Sequence, residues 1–144
     1  MIYKTENHNL SDIESLLVSF VNESVYDRPV NPEGLKLLVE APTTLTVVVY
    51  DGVKPVAIFM GYTYNHPMFH AKFSADLILY VVPEHRGTPI AVRLLKMYES
   101  WARQQKVDYM NIGQSTGIGD INRVGKFFEK LGFKPTGFNC LKEP

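Results

Sequence analysis

The chain has a single cysteine, Cys140, among its 144 residues, so no internal disulfide staples it and a packed core must supply its stability. That thiol reads as a small apolar filler, and one lone cysteine fits a reducing, cytoplasmic setting. Neither charge sign is in excess: 15 Lys and Arg oppose 15 Asp and Glu, and neither sign forms a long block. General attraction to nucleic acid or to a membrane surface is not expected. No apolar run approaches the roughly 20 residues that cross a bilayer, and MIYKTENHNLSD lacks the basic start and apolar centre of a signal peptide. There is no G-x-S-x-G, no P-loop lysine motif and no Cys/His nucleophile pair, which weighs against hydrolase and NTPase chemistry. Of the four histidines only His66 and His70 are close in sequence, with no cysteine or carboxylate at ligand spacing, so no metal is expected. No linker or repeat divides the chain. One domain over residues 1–144 is the expectation.

What the sequence does have is concentrated in residues 76–105. Leu77 to Val82 is an unbroken apolar run of strand length, as expected of a central strand covered on both faces. Pro83 cannot donate to a ladder and should end it. After PEHRGT, Ile90, Leu94, Met97, Tyr98 and Trp101 recur at helical spacing, so a helix begins near Pro89, which suits a first helical position. A strand, a Gly-bearing loop and a helix N-terminus aim several N–H groups at one spot, where the helix dipole adds positive charge. Such a spot attracts a phosphate, and Arg86 beside it could add a charge-assisted bond. The bland alternative is a plain βα turn whose glycine only relieves strain.

Two stretches carry a family resemblance. Leu79 to Ala91, LYVVPEHRGTPIA, resembles the acetyl-CoA motif of the GNAT superfamily of N-acetyltransferases, roughly V-x-P-x-x-[QR]-x-x-G-x-[GA]. Phe127 to Phe133, FFEKLGF, is similar to that superfamily's closing helix-to-strand signature. The resemblance spans Leu77 to Phe138; before it only the order of elements agrees. It implies a GNAT-like α/β fold, a mixed sheet flanked by helices in which the fourth and fifth strands splay to admit the cofactor. It further implies an enzyme, an acyltransferase carrying acetyl from acetyl-CoA to a primary amine by direct attack. The backbone of Leu79, Tyr80 and Val81 would hold the pantetheine arm and the acetyl carbonyl. Arg86, Gly87, Thr88, Pro89, Ile90, Ala91 and Val92 would wrap the pyrophosphate. Pro89 departs from the pattern, replacing a glycine and removing one N–H, with the Thr88 hydroxyl a candidate replacement. Phe128 stands where the superfamily often has the tyrosine that protonates the departing thiolate, so that acid is missing and water must serve. Ile121 takes the register of a common asparagine, with Asn122 one residue late. These departures keep a second reading open: a weak or inactive GNAT-fold module that binds CoA or a protein.

The remaining chain supplies the frame. Met1 to Thr5 reads as an edge strand, followed by a helix capped by Asn9 or Ser11 and carrying Ile13, Leu16, Leu17, Phe20 and Val21. Asn31-Pro32-Glu33 starts a second helix with Leu35, Leu38 and Val39. Thr43 to Tyr50 and Lys54 to Tyr64 form a hairpin around Asp51-Gly52. Val107 to Ile112 is the next strand and GQSTGIG a loop. Asp120 caps a helix with Val124, Phe127, Phe128 and Leu131 buried, Gly132 ends it, and Phe133 to Leu141 closes as one or two strands.

Asp76 is the candidate general base, since burial at the start of an apolar strand would raise its pKa; it could equally be a hydrogen-bonded strand-end carboxylate. Glu84 reads as a solvated turn residue. Gln114, Ser115 and Thr116 could orient an amine or simply fill a loop, and the aromatic stretch Phe59 to His70 could line an acceptor site or pack a sheet face. The acceptor, small molecule or protein, and the oligomeric state, with a homodimer open, are not readable here.

Overall fold

The computed structural model describes residues 1–114 and 116–144. Its sheet runs β1 (Ile2–Lys4), β2 (Thr44–Asp51), β3 (Lys54–Asn65), β4 (Lys72–Val81) and β5 (Tyr109–Met110) in that spatial order. The first four strands pair antiparallel, and β5 joins β4 in parallel. Helices α1 (Leu10–Glu23), α2 (Pro32–Glu40), α3 (Ile90–Gln104) and α4 (Ile121–Lys130) complete the α/β fold.

The caps follow the sequence. Asn9 begins α1 by accepting from the Ser11 and Asp12 amides, and Asn31 begins α2 by accepting from Gly34 with Pro32 at the first turn. Asp120 does the same for α4 through the Asn122 and Arg123 amides, each cap occupying N–H groups that the first helical turn leaves free. At the far end of α4, Gly132 lies at φ +92. The Gly132 and Phe133 amides donate back to the Glu129 and Phe128 carbonyls, the paired closure that a left-handed residue permits. The β2–β3 hairpin turns through Gly52 and Val53, with Gly52 at φ +62, one residue later than the Asp51-Gly52 signal.

Both faces of the sheet are packed. On one, Phe20 of α1 meets Tyr80 edge-on at 5.8 Å; on the other, Tyr98 of α3 lies 4.8 Å from Phe59. Val47, Val48, Val49, Val56, Ile58, Phe59, Leu94 and Tyr98 are fully enclosed between these layers.

Four sequence expectations are corrected. The central strand is β3, and β4 starts at Lys72 rather than Leu77. The polar half KFSAD pairs as fully as the apolar half, and Leu77 is exposed. The strand expected over Val107 to Ile112 is confined to Tyr109–Met110, because β4 supports a partner only at Phe73 and Ser74. Phe133 to Leu141 forms no strand: Phe138 is 93% and Leu141 64% exposed, so that segment has no buried face to set a register, and Pro135 has no N–H to give. The apolar face of α4 is half-buried, with no fully buried residue.

Tyr98 fixes the end of the β4–β5 pair. Its ring is fully buried, and its hydroxyl lies 2.9 Å from both Ser74 Oγ and the Asn111 carbonyl. The carbonyl can only accept, so Tyr98 donates to it and accepts from Ser74. Tyr98→Phe leaves the buried Ser74 hydroxyl without its acceptor and the part-buried Asn111 carbonyl without its donor, and should cost about 2 kcal/mol, read by urea denaturation.

Candidate active site

Beyond Ser74 and Met110 the two strands separate, and among the described residues β4 has no strand on its outer edge from Ala75 to Val81. The Val82 amide donates to Val56 and Tyr80 pairs with Ile58 across β3. Alternation then turns the main-chain groups of Leu79 and Val81 outward, into the gap. The ladder also slips once: Met60 faces Ile78 while Gly61 faces Asp76, leaving Leu77 as an extra residue. That bulge explains why Leu77 is exposed inside an apolar run, and it re-aims the residues on either side.

Asp76 sits beside the bulge. Its Oδ1 accepts from the Gly113 amide at 3.0 Å, bridging the gap from β4 to the segment after β5. Burial pushes its carboxyl up to about 6, partly offset by that amide and by its own. It is thus a hydrogen-bonded strand carboxylate whose titration burial moves toward neutrality.

At the top of the gap a short 3₁₀ turn, Pro83–His85, leads into Arg86 and Gly87, which lies at φ +76 with open space where a Cβ would stand. Helix α3 then starts with Pro89 flanking it and no side-chain cap. The amides of Gly87, Thr88, Ile90, Ala91 and Val92 have no acceptor among the described residues. Five free donors lie along this loop and first helical turn, and Pro89 costs the set one. The Thr88 hydroxyl donates to the His85 carbonyl at 2.6 Å, so only its oxygen lone pairs are left for another partner. Arg86 turns away from these amides: its Nη2 is 2.8 Å from Glu23 Oε2 and its Nε donates to the Val81 carbonyl at 2.9 Å.

Other sequence candidates are placed as follows. Glu84 is exposed. Gln114 donates to Ile118 within its own loop, and the Thr116 hydroxyl accepts from the Ile118 amide at 3.3 Å; Ser115 lies outside the described residues. Phe128 packs on Phe127 and Phe133 with ring centroids at 5.8 and 6.2 Å. Tyr62, Tyr64, Phe73 and Tyr109 form a chain of ring contacts across β3, β4 and β5 at the closed end of the gap, while Phe59 belongs to the core. Among the described residues no cluster of His, Cys, Asp or Glu could hold a metal ion, and no helix is long and apolar enough to cross a membrane.

Three participants were not visible in the sequence. Glu23 ends α1 and meets Arg86 and Tyr80; its only local sign is a carboxylate at the negative end of a helix, where it is disfavoured without a partner. The Gly113 amide carries no side-chain signal. Gly117, at φ +72, would place a Cβ 2.4 Å from Val25 Cγ1, where the Val25 amide also donates to the Thr116 carbonyl at 2.8 Å. The loop after β5 is thus fastened to the segment after α1.

The sheet is mixed and split along one edge, with an amide-rich loop and a helix start above the split. The sequence profile of the acetyltransferase (GNAT) family matches residues 10–133, and the chain belongs to that family. No curated protein sequence matches it significantly. Solved structures share the fold. The aminoglycoside 6′-N-acetyltransferase AAC(6′)-Ig of Acinetobacter haemolyticus is 18% identical with a TM-score of 0.74, covering 100% of this chain and 98% of that one. The ribosomal-protein-alanine N-acetyltransferase of Brucella melitensis biovar Abortus is 12% identical with a TM-score of 0.71, covering 100% and 99%. AAC(6′)-Iy in complex with the bisubstrate analogue CoA-S-monomethyl-acetylneamine is 12% identical with a TM-score of 0.77, covering 99% and 97%.

The raised pKa of Asp76 has a sign that can be measured. Below the unfolded value of 3.8 the carboxyl is protonated in both states and its burial carries no charge penalty. As pH rises through about 6 the buried group must ionise, and the stability it contributed is lost. The stability of wild type relative to Asp76→Asn should fall by about 2 kcal/mol between pH 4 and 7, measured by urea denaturation at each pH. A constant difference across that range would contradict a desolvated carboxyl.

Proposed function

We propose that the protein transfers acetyl from acetyl-CoA to a primary amine, which attacks the thioester directly. The observation that carries this reading is the set of unpartnered amides at Gly87, Thr88, Ile90, Ala91 and Val92 above a split in the sheet, in a chain of the GNAT family. The donor set suits a pyrophosphate: the N–H groups need an acceptor, and the uncapped start of a 15-residue helix adds favourable potential.

Bound acetyl-CoA would supply an activated acetyl thioester. The outward main-chain groups of Leu79 and Val81 face the gap where its carbonyl would lie, and their N–H groups stabilise the oxygen charge that builds as the amine attacks. The Val81 carbonyl is occupied by Arg86, and the Leu79 and Val81 amides are the donors on that edge. Asp76, a carboxylate ionised above about pH 6, takes the proton the amine sheds through one water. The thiolate leaves and takes its proton from solvent, because Phe128 has none to give. Chain and neighbours share fold rather than specificity, so the acceptor panel follows their range, from small-molecule amines to protein N-termini and lysines.

Thiol release measured across that panel tests the reading. Acetyl transfer should appear as free CoA released in an amine-dependent manner; binding of acetyl-CoA without amine-dependent thiol release would leave a CoA-binding module instead, and absence of binding at millimolar cofactor would defeat both. With an active acceptor, Asp76→Asn should lower kcat by about 100-fold or more and abolish the pH-rate arm near 6, with cofactor affinity intact. Phe128→Tyr should change the rate little. An Asp76→Asn enzyme with near-full activity from pH 6 to 9 would remove Asp76 from the mechanism and leave solvent as the base.

A further inference from the structure

The loop above the gap carries two basic side chains, His85 and Arg86, at the place where a phosphate would be held, and both are turned back into the protein. His85 Nε2 lies 3.0 Å from Asp51 Oδ2 at the end of β2. Arg86 is held at three points: Glu23 Oε2 through Nη2 at 2.8 Å, the Val81 carbonyl through Nε at 2.9 Å, and the Tyr80 ring, whose centroid is 5.7 Å from the guanidinium carbon. The Glu23 oxygen that meets Arg86 also accepts from the Tyr80 hydroxyl at 2.5 Å. The Arg86 bond is the main reason the Glu23 carboxyl sits below its usual range.

We propose that Glu23 and Arg86 are positioning residues that brace the phosphate loop from behind, so that main-chain amides alone face the pyrophosphate. This rests on the acetyl-CoA reading above. An isolated exposed ion pair would be too weak to hold an arginine from a phosphate. Here one carboxylate serves both Arg86 and Tyr80, and the guanidinium fork spends two of its donors on fixed acceptors while its face lies against a ring. Swinging Arg86 to a phosphate would break both hydrogen bonds and leave a carboxylate at the negative end of α1 with only Tyr80. It would also free the Val81 carbonyl at the rim of the gap. Kept in place, the same contacts fix where the loop leaves β4, and therefore where the Gly87 to Val92 amides point. Ordering is done before the cofactor arrives, which favours tight binding by amides that carry no full charge.

The brace and direct ligation predict opposite signs for one substitution. If Arg86 braces, Glu23→Gln weakens CoA binding by about tenfold, Arg86→Lys does the same because an ammonium cannot serve Glu23 and the Val81 carbonyl together, and the double variant binds no more weakly than either. If Arg86 is a phosphate ligand restrained by Glu23, Glu23→Gln tightens binding or leaves it unchanged while Arg86→Lys weakens it, and the proposal is overturned. Calorimetry with CoA on the full chain decides between them. Hydrogen exchange without any ligand gives the second arm: the amides of residues 85 and 86, which donate to the Val82 and Pro83 carbonyls, should exchange about tenfold faster in both single variants, with the rest of the chain unchanged. Unaltered exchange in that loop overturns the brace. A wild-type protein that binds no CoA would defeat the acetyl-CoA reading, while the exchange result would still judge the brace.

Discussion

One buried hydroxyl holds the point where the sheet divides. Tyr98 reaches from α3 through the core to Ser74 on β4 and Asn111 after β5, the last place where the two strands are joined. Toward Phe73 and Tyr109 they pair; away from it they part. A parallel pair this short has little ladder of its own. It is kept by the tyrosine, by the Lys72 and Ser74 carbonyls accepting from the Asp108 and Asn111 amides, and by the Asp108 carboxylate accepting from the Lys72 amide. Burial drives the Tyr98 phenol up to about 12, so it stays a neutral donor at any pH the protein would meet.

From that vertex the two lips of the gap are fastened differently. On the β4 side the bulge at Leu77 and the outward groups of Leu79 and Val81 leave an edge of main-chain donors and acceptors, ended by the Arg86–Glu23 contact. The opposite lip is held by the Gly113 amide on Asp76 and by Thr116 and Gly117 on Val25. The end of α1 therefore touches both lips, through Glu23 on one and Val25 on the other. Since α1 also packs Ile13, Leu16 and Phe20 into the core, the width of the gap is tied to the most buried part of the molecule.

The sequence made the βα loop legible because its signals are local: Pro83 stops a strand, Gly87 permits a left-handed turn, and Pro89 precedes an amphipathic helix. The same holds for Asn9, Asn31, Asp120 and Gly132, whose roles need only their neighbours in the chain. What escaped depended on distant partners. The extent of β4 was underestimated because KFSAD has a polar pattern that only pairing with β3 explains, and the bulge at Leu77 hid the change of face that pairing would have shown. The closing strands were over-read at both Val107 to Ile112 and Phe133 to Leu141, since β-rich composition cannot report whether a partner edge is present. Arg86 matched the family motif, yet its side chain answers to Glu23, 63 residues earlier. That Phe128 has no proton to give follows from the side chain alone.

The central claim is that a CoA-bearing cosubstrate enters the gap between β4 and the segment after β5 with its phosphates on the start of α3. Amide chemical-shift mapping during a CoA titration tests it most directly. The account predicts the largest shifts at Gly87, Thr88, Ile90, Ala91 and Val92, with a second group at Leu79, Val81 and Gly113, and little change across β1, β2 and α2. Saturable binding whose shifts fall instead on the α1–α2 groove, or that spares Gly87 to Val92, would contradict it.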